Sequence, residues 1–138
     1  MKMAIAAALL AAPMQNDVRA DNFCAELQSL ASGAEETPAF GSLAGTSLHS
    51  LLQGYCMIGR PAETIILCHR VLIPDHINRD ALSERIQICL PGARVTRADS
   101  IRDDTLIEHG RLRIKIAESG GKGAHVGRIM TLYFRAAP

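Results

Sequence analysis

Four cysteines, Cys24, Cys56, Cys68 and Cys89, are spread through a chain of 138 residues, and no other feature narrows the possible folds as much. An even cysteine count in a short chain reads as a disulfide framework when the chain reaches an oxidising compartment. The competing uses of cysteine need other spacings. Zinc sites and thiol oxidoreductases take close pairs of the Cys-x-x-Cys kind, and this sequence has none. A cysteine nucleophile needs a base beside it; His69 follows Cys68, but neighbouring residues on a strand point to opposite faces. The four thiols are therefore expected to form two covalent staples, with no metal site and no cofactor.

The N-terminus supplies the compartment. Met1-Lys2 gives a positive start, Met3 to Ala12 is uninterruptedly apolar, Pro13 breaks the run, and Val18-Arg19-Ala20 offers a cleavage site before Asp21. The run is shorter than the ~20 apolar residues of a membrane-spanning helix. Residues 1–20 are thus expected to be a signal peptide. Residues 21–138 are then a single domain in the periplasm or outside the cell, with no membrane span. The short Lys-led leader and the absence of an Asn-x-Ser/Thr acceptor suit a bacterial envelope protein.

Of fifteen basic and fourteen acidic residues, Lys2, Arg19 and Asp17 fall in the leader, leaving thirteen of each. A neutral mature chain lacks the cationic excess that nonspecific nucleic-acid binding relies on, and no nucleic-acid partner is expected. The charge is uneven, with four basic against eight acidic residues over 21–93 and nine against five over 94–138. Five aromatic residues and no Trp leave a mainly aliphatic core.

Four cysteines allow three connectivities. Thr64 to Ile73 is β-branched and aliphatic, a strand by propensity. Asn78 or Asp80 can cap a helix carrying Leu82, Ile86 and Cys89 on one face, ended by Pro91-Gly92. With that helix folded over the strand, Cys68 lies about 17 Å from the strand end at ~3.3 Å per residue. Cys89 lies about 14 Å along the helix at ~1.5 Å per residue. The heights agree, which favours Cys68 with Cys89. Cys24 then pairs with Cys56, from a first helix, Asp21 to Ser32, with an apolar stripe of Phe23, Leu27 and Leu30. The rival joins Cys56 to Cys68 across a hairpin and leaves Cys24 for Cys89.

Further along, residues 33–45 read as an acidic Gly- and Pro-punctuated loop. Thr46 to Gln53 reads as a short helix with Leu48, Leu51 and Leu52 inward, followed by a strand, Tyr55 to Ile58. After the second helix come a strand, Ala93 to Ala98, and a charged loop, Asp99 to Asp104. Arg111-Leu112-Arg113-Ile114-Lys115-Ile116 alternates strictly, marking a strand with one buried face. Arg128 to Arg135 returns across a Gly-rich connection. Pairing Leu112 with Phe134, Ile114 with Leu132 and Ile116 with Met130 sets all six inward. The expected fold is α+β, an antiparallel sheet of about five strands with helices packed on one face.

Three candidate sites follow. The outer face of the last hairpin would gather Arg111, Arg113, Lys115 and Arg135 around Tyr133, a mixture suited to carboxylates or phosphates. Lys122, in Gly120-Gly121-Lys122-Gly123, lies in a glycine-rich tip that lacks the Ser or Thr and following helix of a P-loop, yet could order on a partner. Asp75-His76-Ile77-Asn78 sits between strand and helix, where ββα metal nucleases place a His and an Asn; the plain alternative is a helix cap. No triad is visible among the remaining histidines. The reading that emerges is a non-catalytic, disulfide-stapled protein-binding module of the inhibitor, immunity or envelope-accessory type, with a partner that presents an acidic surface. Its rivals are a secreted metal-dependent hydrolase or nuclease centred on His76, and a structural subunit of an envelope assembly.

Overall fold

The computed structural model describes residues 18–62, 64–97, 104–120 and 127–138. The expected leader lies outside the described residues as far as residue 17, and so does Lys122. Among the described residues the chain forms helix α1 (Val18–Ala34), a 3-10 turn (Gly41–Leu43), strands β1 (Tyr55–Cys56) and β2 (Ile65–Arg70), helix α2 (Arg79–Cys89), and strands β3 (Arg94–Arg97), β4 (Thr105–His109), β5 (Leu112–Gly120) and β6 (Arg128–Ala136). The strands make one antiparallel sheet in the order β1-β2-β6-β5-β4-β3. From β3 to β6 the chain meanders; β6 then closes onto β2, while α2 carries the chain from β2 across to the far edge. The α+β class is as expected, with six strands rather than five.

Both helices lie on the same side of the sheet. Phe23, Leu27, Leu30 and Ala34 of α1 and Leu82, Ile86 and Cys89 of α2 are buried, in one cluster with the inward residues of β2, β4, β5 and β6. Those inward residues include Ile66, Cys68, Ile107, Leu112, Ile114, Ile116, Met130, Leu132 and Phe134. Alternation places them: every second residue faces the core, and each such large aliphatic or aromatic side chain contributes about 1.5–3 kcal/mol by leaving water. Helix α2 begins where its cap was anticipated, the Asn78 side chain accepting from the Ala81 N–H at 2.9 Å.

The sheet departs from the sequence expectation in three respects. Thr105–His109 forms β4, the sixth strand, which joins β5 through a turn in which Gly110 has φ of 56°. Its pattern is legible afterwards, since Thr105 and Ile107 are buried while Leu106 and Glu108 alternate with them. The β5–β6 register is displaced by two residues from the expected one, with Leu112 opposite Ala136, Ile114 opposite Phe134 and Ile116 opposite Leu132. A two-residue slip keeps every side chain on its face, so the burial pattern cannot discriminate between the registers. The connection does, because the ladder runs on to Gly120 opposite Arg128. Finally, Thr46 to Gln53 is not a helix. Ser47 bridges to Met57, the Leu48 N–H donates to Cys56 O at 2.8 Å, and the Ile58 N–H donates to Thr46 O at 2.9 Å. The segment therefore lines the β1 edge, while Leu48, Leu51 and Leu52 still point into the core as expected. The Glu26 carboxylate of α1 accepts from the His49 and Ser50 N–H groups, both at 3.0 Å, holding two backbone donors that a helix would have oriented otherwise.

The disulfide pairing is also corrected. Cys24 joins Cys89 and Cys56 joins Cys68, with Cα–Cα distances of 4.8 and 4.2 Å. Cys56 and Cys68 are directly opposed in the β1–β2 ladder, both on the core face. Cys24 and Cys89 meet where α1 and α2 pack together. Matching heights along strand and helix did not distinguish the partner beneath a helix from the partner beside it.

Candidate functional site

With both helices on the core side, the opposite face of the sheet has no described element over it. The pairing register arranges its side chains in rungs across the strands. One rung reads Ile65, Arg135, Arg113, Glu108, Arg94 and the next Leu67, Tyr133, Lys115, Leu106, Thr96. A third carries Tyr55, His69 and Thr131. A shallow hollow of about 380 Å³ runs over this face, with Ile65, Leu106, Glu108, Lys115, Tyr133 and Arg135 in its lining.

Of the six binding residues anticipated from the sequence, the sheet gathers four. Arg113, Lys115, Tyr133 and Arg135 line the hollow. Arg113 and Arg135 are opposed in the ladder, an arrangement that like charges tolerate when one is drawn aside. Arg113 is drawn aside, donating to Gly110 O at 2.7 Å and Leu112 O at 3.0 Å with Glu108 at 3.7 Å. Glu108 also accepts from Arg94 at 3.0 Å. Lys115 lies over the Tyr133 ring, Nζ 4.4 Å from its centroid, a cation–π contact between opposed residues of the ladder. Arg135 has no carboxylate within ion-pair distance among the described residues. Three cations thus face one carboxylate in the hollow.

Arg111 does not join them. It stands in the β4–β5 turn with its guanidinium donating to Ala137 O at 3.1 and 2.7 Å, where it ties the chain end to the hairpin.

The apolar half of the face was missed by sequence reasoning. Tyr55, Met57, Ile65 and Leu67 are 60%, 51%, 49% and 38% exposed, a group of large side chains left in water at one margin of the sheet. A signal existed. Ile65-Ile66-Leu67-Cys68 is an unbroken apolar run, where a strand covered on one side alternates. Only Ile66 and Cys68 go into the core.

His76 is exposed on the turn ahead of α2, and Asn78 is engaged as the helix cap. Among the described residues no three His, Cys, Asp or Glu side chains are grouped to hold a metal ion. No described helix is long and apolar enough to cross a membrane. No protein-family model, curated protein or solved structure matches this chain, so its function must be read from this geometry.

Proposed function

We propose that the protein is an exported, disulfide-stapled, non-catalytic binding module that docks an acidic protein partner on the uncovered face of its sheet. The observation that carries this reading is the pairing of an exposed apolar margin (Tyr55, Ile65, Leu67) with an adjoining cationic rung (Arg113, Arg135, with Lys115 on Tyr133). Antiparallel sheets with one solvated face carry polar residues there, and a contiguous apolar patch rimmed by charge is the usual mark of an interaction site. Aromatic and Arg side chains are also the types that dominate interface energies. Charge decides the class of partner, because opposing potentials favour encounter and like charges suppress it. Two disulfides suit a chain that works in an oxidising compartment, the periplasm or outside the cell.

The test is affinity capture from the native envelope fraction with wild-type protein and with the Arg113→Glu/Arg135→Glu variant. Arg113 bonds to Gly110 O and Leu112 O and opposes Glu108, so the variant should melt lower than the wild type and is compared with it well below its own transition, where it is folded. The expected result is a captured acidic protein whose binding weakens with added salt and is lost in the variant. A captured partner indifferent to both changes removes this face from consideration.

A further inference from the structure

A second hollow, of about 300 Å³, opens on the helix side of the sheet, away from the proposed docking face. Its walls are the loop Ser50–Gln53, the end of β2 at Arg70, the turn Pro74–Ile77, and the first half of α2 from Ala81 to Arg85. Leu51, Leu52 and Leu82 are buried and supply an apolar floor. Arg70, His76 and Arg85 supply the polar part. Neither guanidinium has a carboxylate within ion-pair distance among the described residues. Arg70 spends one donor on Leu52 O at 3.2 Å, and Arg85 stacks over the Phe23 ring at 4.0 Å, a contact that orients the cation without neutralising it. The walls are also held in place. Arg128 donates to Pro74 O at 3.2 Å and Ile77 O at 2.8 Å while paired to Glu118 at 2.7 Å, which fastens the His76 turn to β5 and β6. On the facing wall Gln53 has φ of 56°, a left-handed conformation that a non-glycine residue keeps only where its surroundings enforce it.

We infer that this hollow binds a small amphiphilic anion, a carboxylate held by Arg70 and Arg85 with a short apolar stem lying on Leu51, Leu52 and Leu82. The chemistry follows from the lining. Guanidinium groups present paired N–H donors that match a carboxylate; no Asp or Glu is in the lining, and the Glu26 carboxylate beside Ser50 is engaged by the His49 and Ser50 N–H groups. An apolar floor with a few convergent polar groups is the ordinary form of a small-molecule pocket, and this volume stands at the small end of the range. A bare anion would leave the floor in water, and a neutral apolar molecule would bury the guanidinium groups without a partner.

The experiment follows amide resonances of the folded, oxidised protein during titration with octanoate, octanamide and inorganic phosphate. Octanoate is expected to give saturable shifts confined to residues 50–53, 70, 74–77 and 81–85, and octanamide and phosphate should each bind at least about tenfold more weakly. Arg85→Gln, which removes the guanidinium and its contact with Phe23 but keeps a polar side chain, should weaken octanoate about tenfold. The wild-type comparison of octanoate with octanamide reads out the cationic site without any variant. Octanamide binding as tightly as octanoate, phosphate binding as tightly as octanoate, or no saturable octanoate shift would each overturn the assignment.

Discussion

Replacing each bridged pair by alanine gives two variants whose stabilities should differ in a stated order. Cys24 and Cys89 are 65 residues apart in sequence, and Cys56 and Cys68 are 12 apart. The loop-entropy relation assigns about 4.3 kcal/mol to the longer closure and about 2.8 kcal/mol to the shorter one at 25 °C. Each double variant also removes two sulfur atoms from the core. That loss is no larger for the first pair, because Cys24 is only half-buried while Cys56, Cys68 and Cys89 are buried. The packing term therefore works against the predicted order rather than producing it. At about 4 °C per kcal/mol for a chain of this size, Cys24→Ala/Cys89→Ala should melt roughly 17 °C below the wild type, and Cys56→Ala/Cys68→Ala roughly 11 °C below. Urea unfolding followed by circular dichroism, with thermal melts, measures both. The alternative pairing, Cys24 with Cys56 and Cys68 with Cys89, makes a different forecast. Each double variant would then break both bridges and strand two thiols, so the two would lose similar stability and react with alkylating agents without reductant. Equal losses, or free thiols in either variant, would refute the structural pairing.

The remaining predictions concern single positions. A Cβ at Gly54 would come within 2.9 Å of the Arg70 Cβ and closer still to the His69 carbonyl oxygen, so Gly54→Ala should cost about 1–3 kcal/mol in urea unfolding. Thr105 is 2% exposed and its hydroxyl has no hydrogen-bond partner among the described residues, so Thr105→Val should stabilise the protein by about 1 kcal/mol in the same assay. Glu36 accepts from the Ser42 hydroxyl at 2.9 Å and the Ser42 N–H at 3.1 Å, which lowers its pKa below the ordinary 4.5. A depressed carboxylate pKa means that this contact is in place at neutral pH and is lost as the pH falls through the folded value. The Ser42 amide resonance should therefore titrate with a midpoint below 4.5, and a midpoint at or above it would contradict the hydrogen bonds.

How much of this was legible depended on whether the deciding interaction was local. Helix α2 was readable because Asn78 caps it and Leu82, Ile86 and Cys89 recur on one side, all within eleven residues of one another. The buried faces of β5 and β6 were readable from alternation. Their register was not, since alternation is blind to a shift of two and the length of the ladder depends on where Gly120 meets Arg128. The cysteine pairing turned on which element lies beside which, knowledge that a single sequence does not contain. The false helix at Thr46 to Gln53 is instructive in the same way. Its leucines go inward as a helix would send them, but Glu26, more than twenty residues earlier, holds the His49 and Ser50 amides. For the site, the cations were visible because they alternate with apolar residues, whereas Tyr55, Ile65 and Leu67 lie in strands whose sequence assigns them to neither face. An apolar residue carries no label for which side of a sheet will be left open.

The position of the shorter staple bears on how that open side is maintained. Strand β1 is two residues long and lies at the edge of the sheet. A pair of that length is marginal by its own hydrogen bonds, and edge strands fray first. Yet β1 presents Tyr55 beside His69, ring centroids 5.7 Å apart, and leads directly into Met57, so the apolar margin depends on β1 staying paired. The Cys56–Cys68 bridge lies on the core face beneath that margin and joins the two opposed positions. It follows that the two bridges have separate tasks, the longer one fastening the helices to each other and the shorter one keeping the margin in place. Hydrogen exchange distinguishes the tasks. In Cys56→Ala/Cys68→Ala the Leu48 and Ile58 amides, whose acceptors are Cys56 O and Thr46 O, should exchange faster relative to those of β5 and β6. In Cys24→Ala/Cys89→Ala all amides should lose protection together, through the lowered global stability. Uniform loss of protection in both variants would show that β1 is held by packing alone, and the shorter bridge would then have no bearing on the docking face.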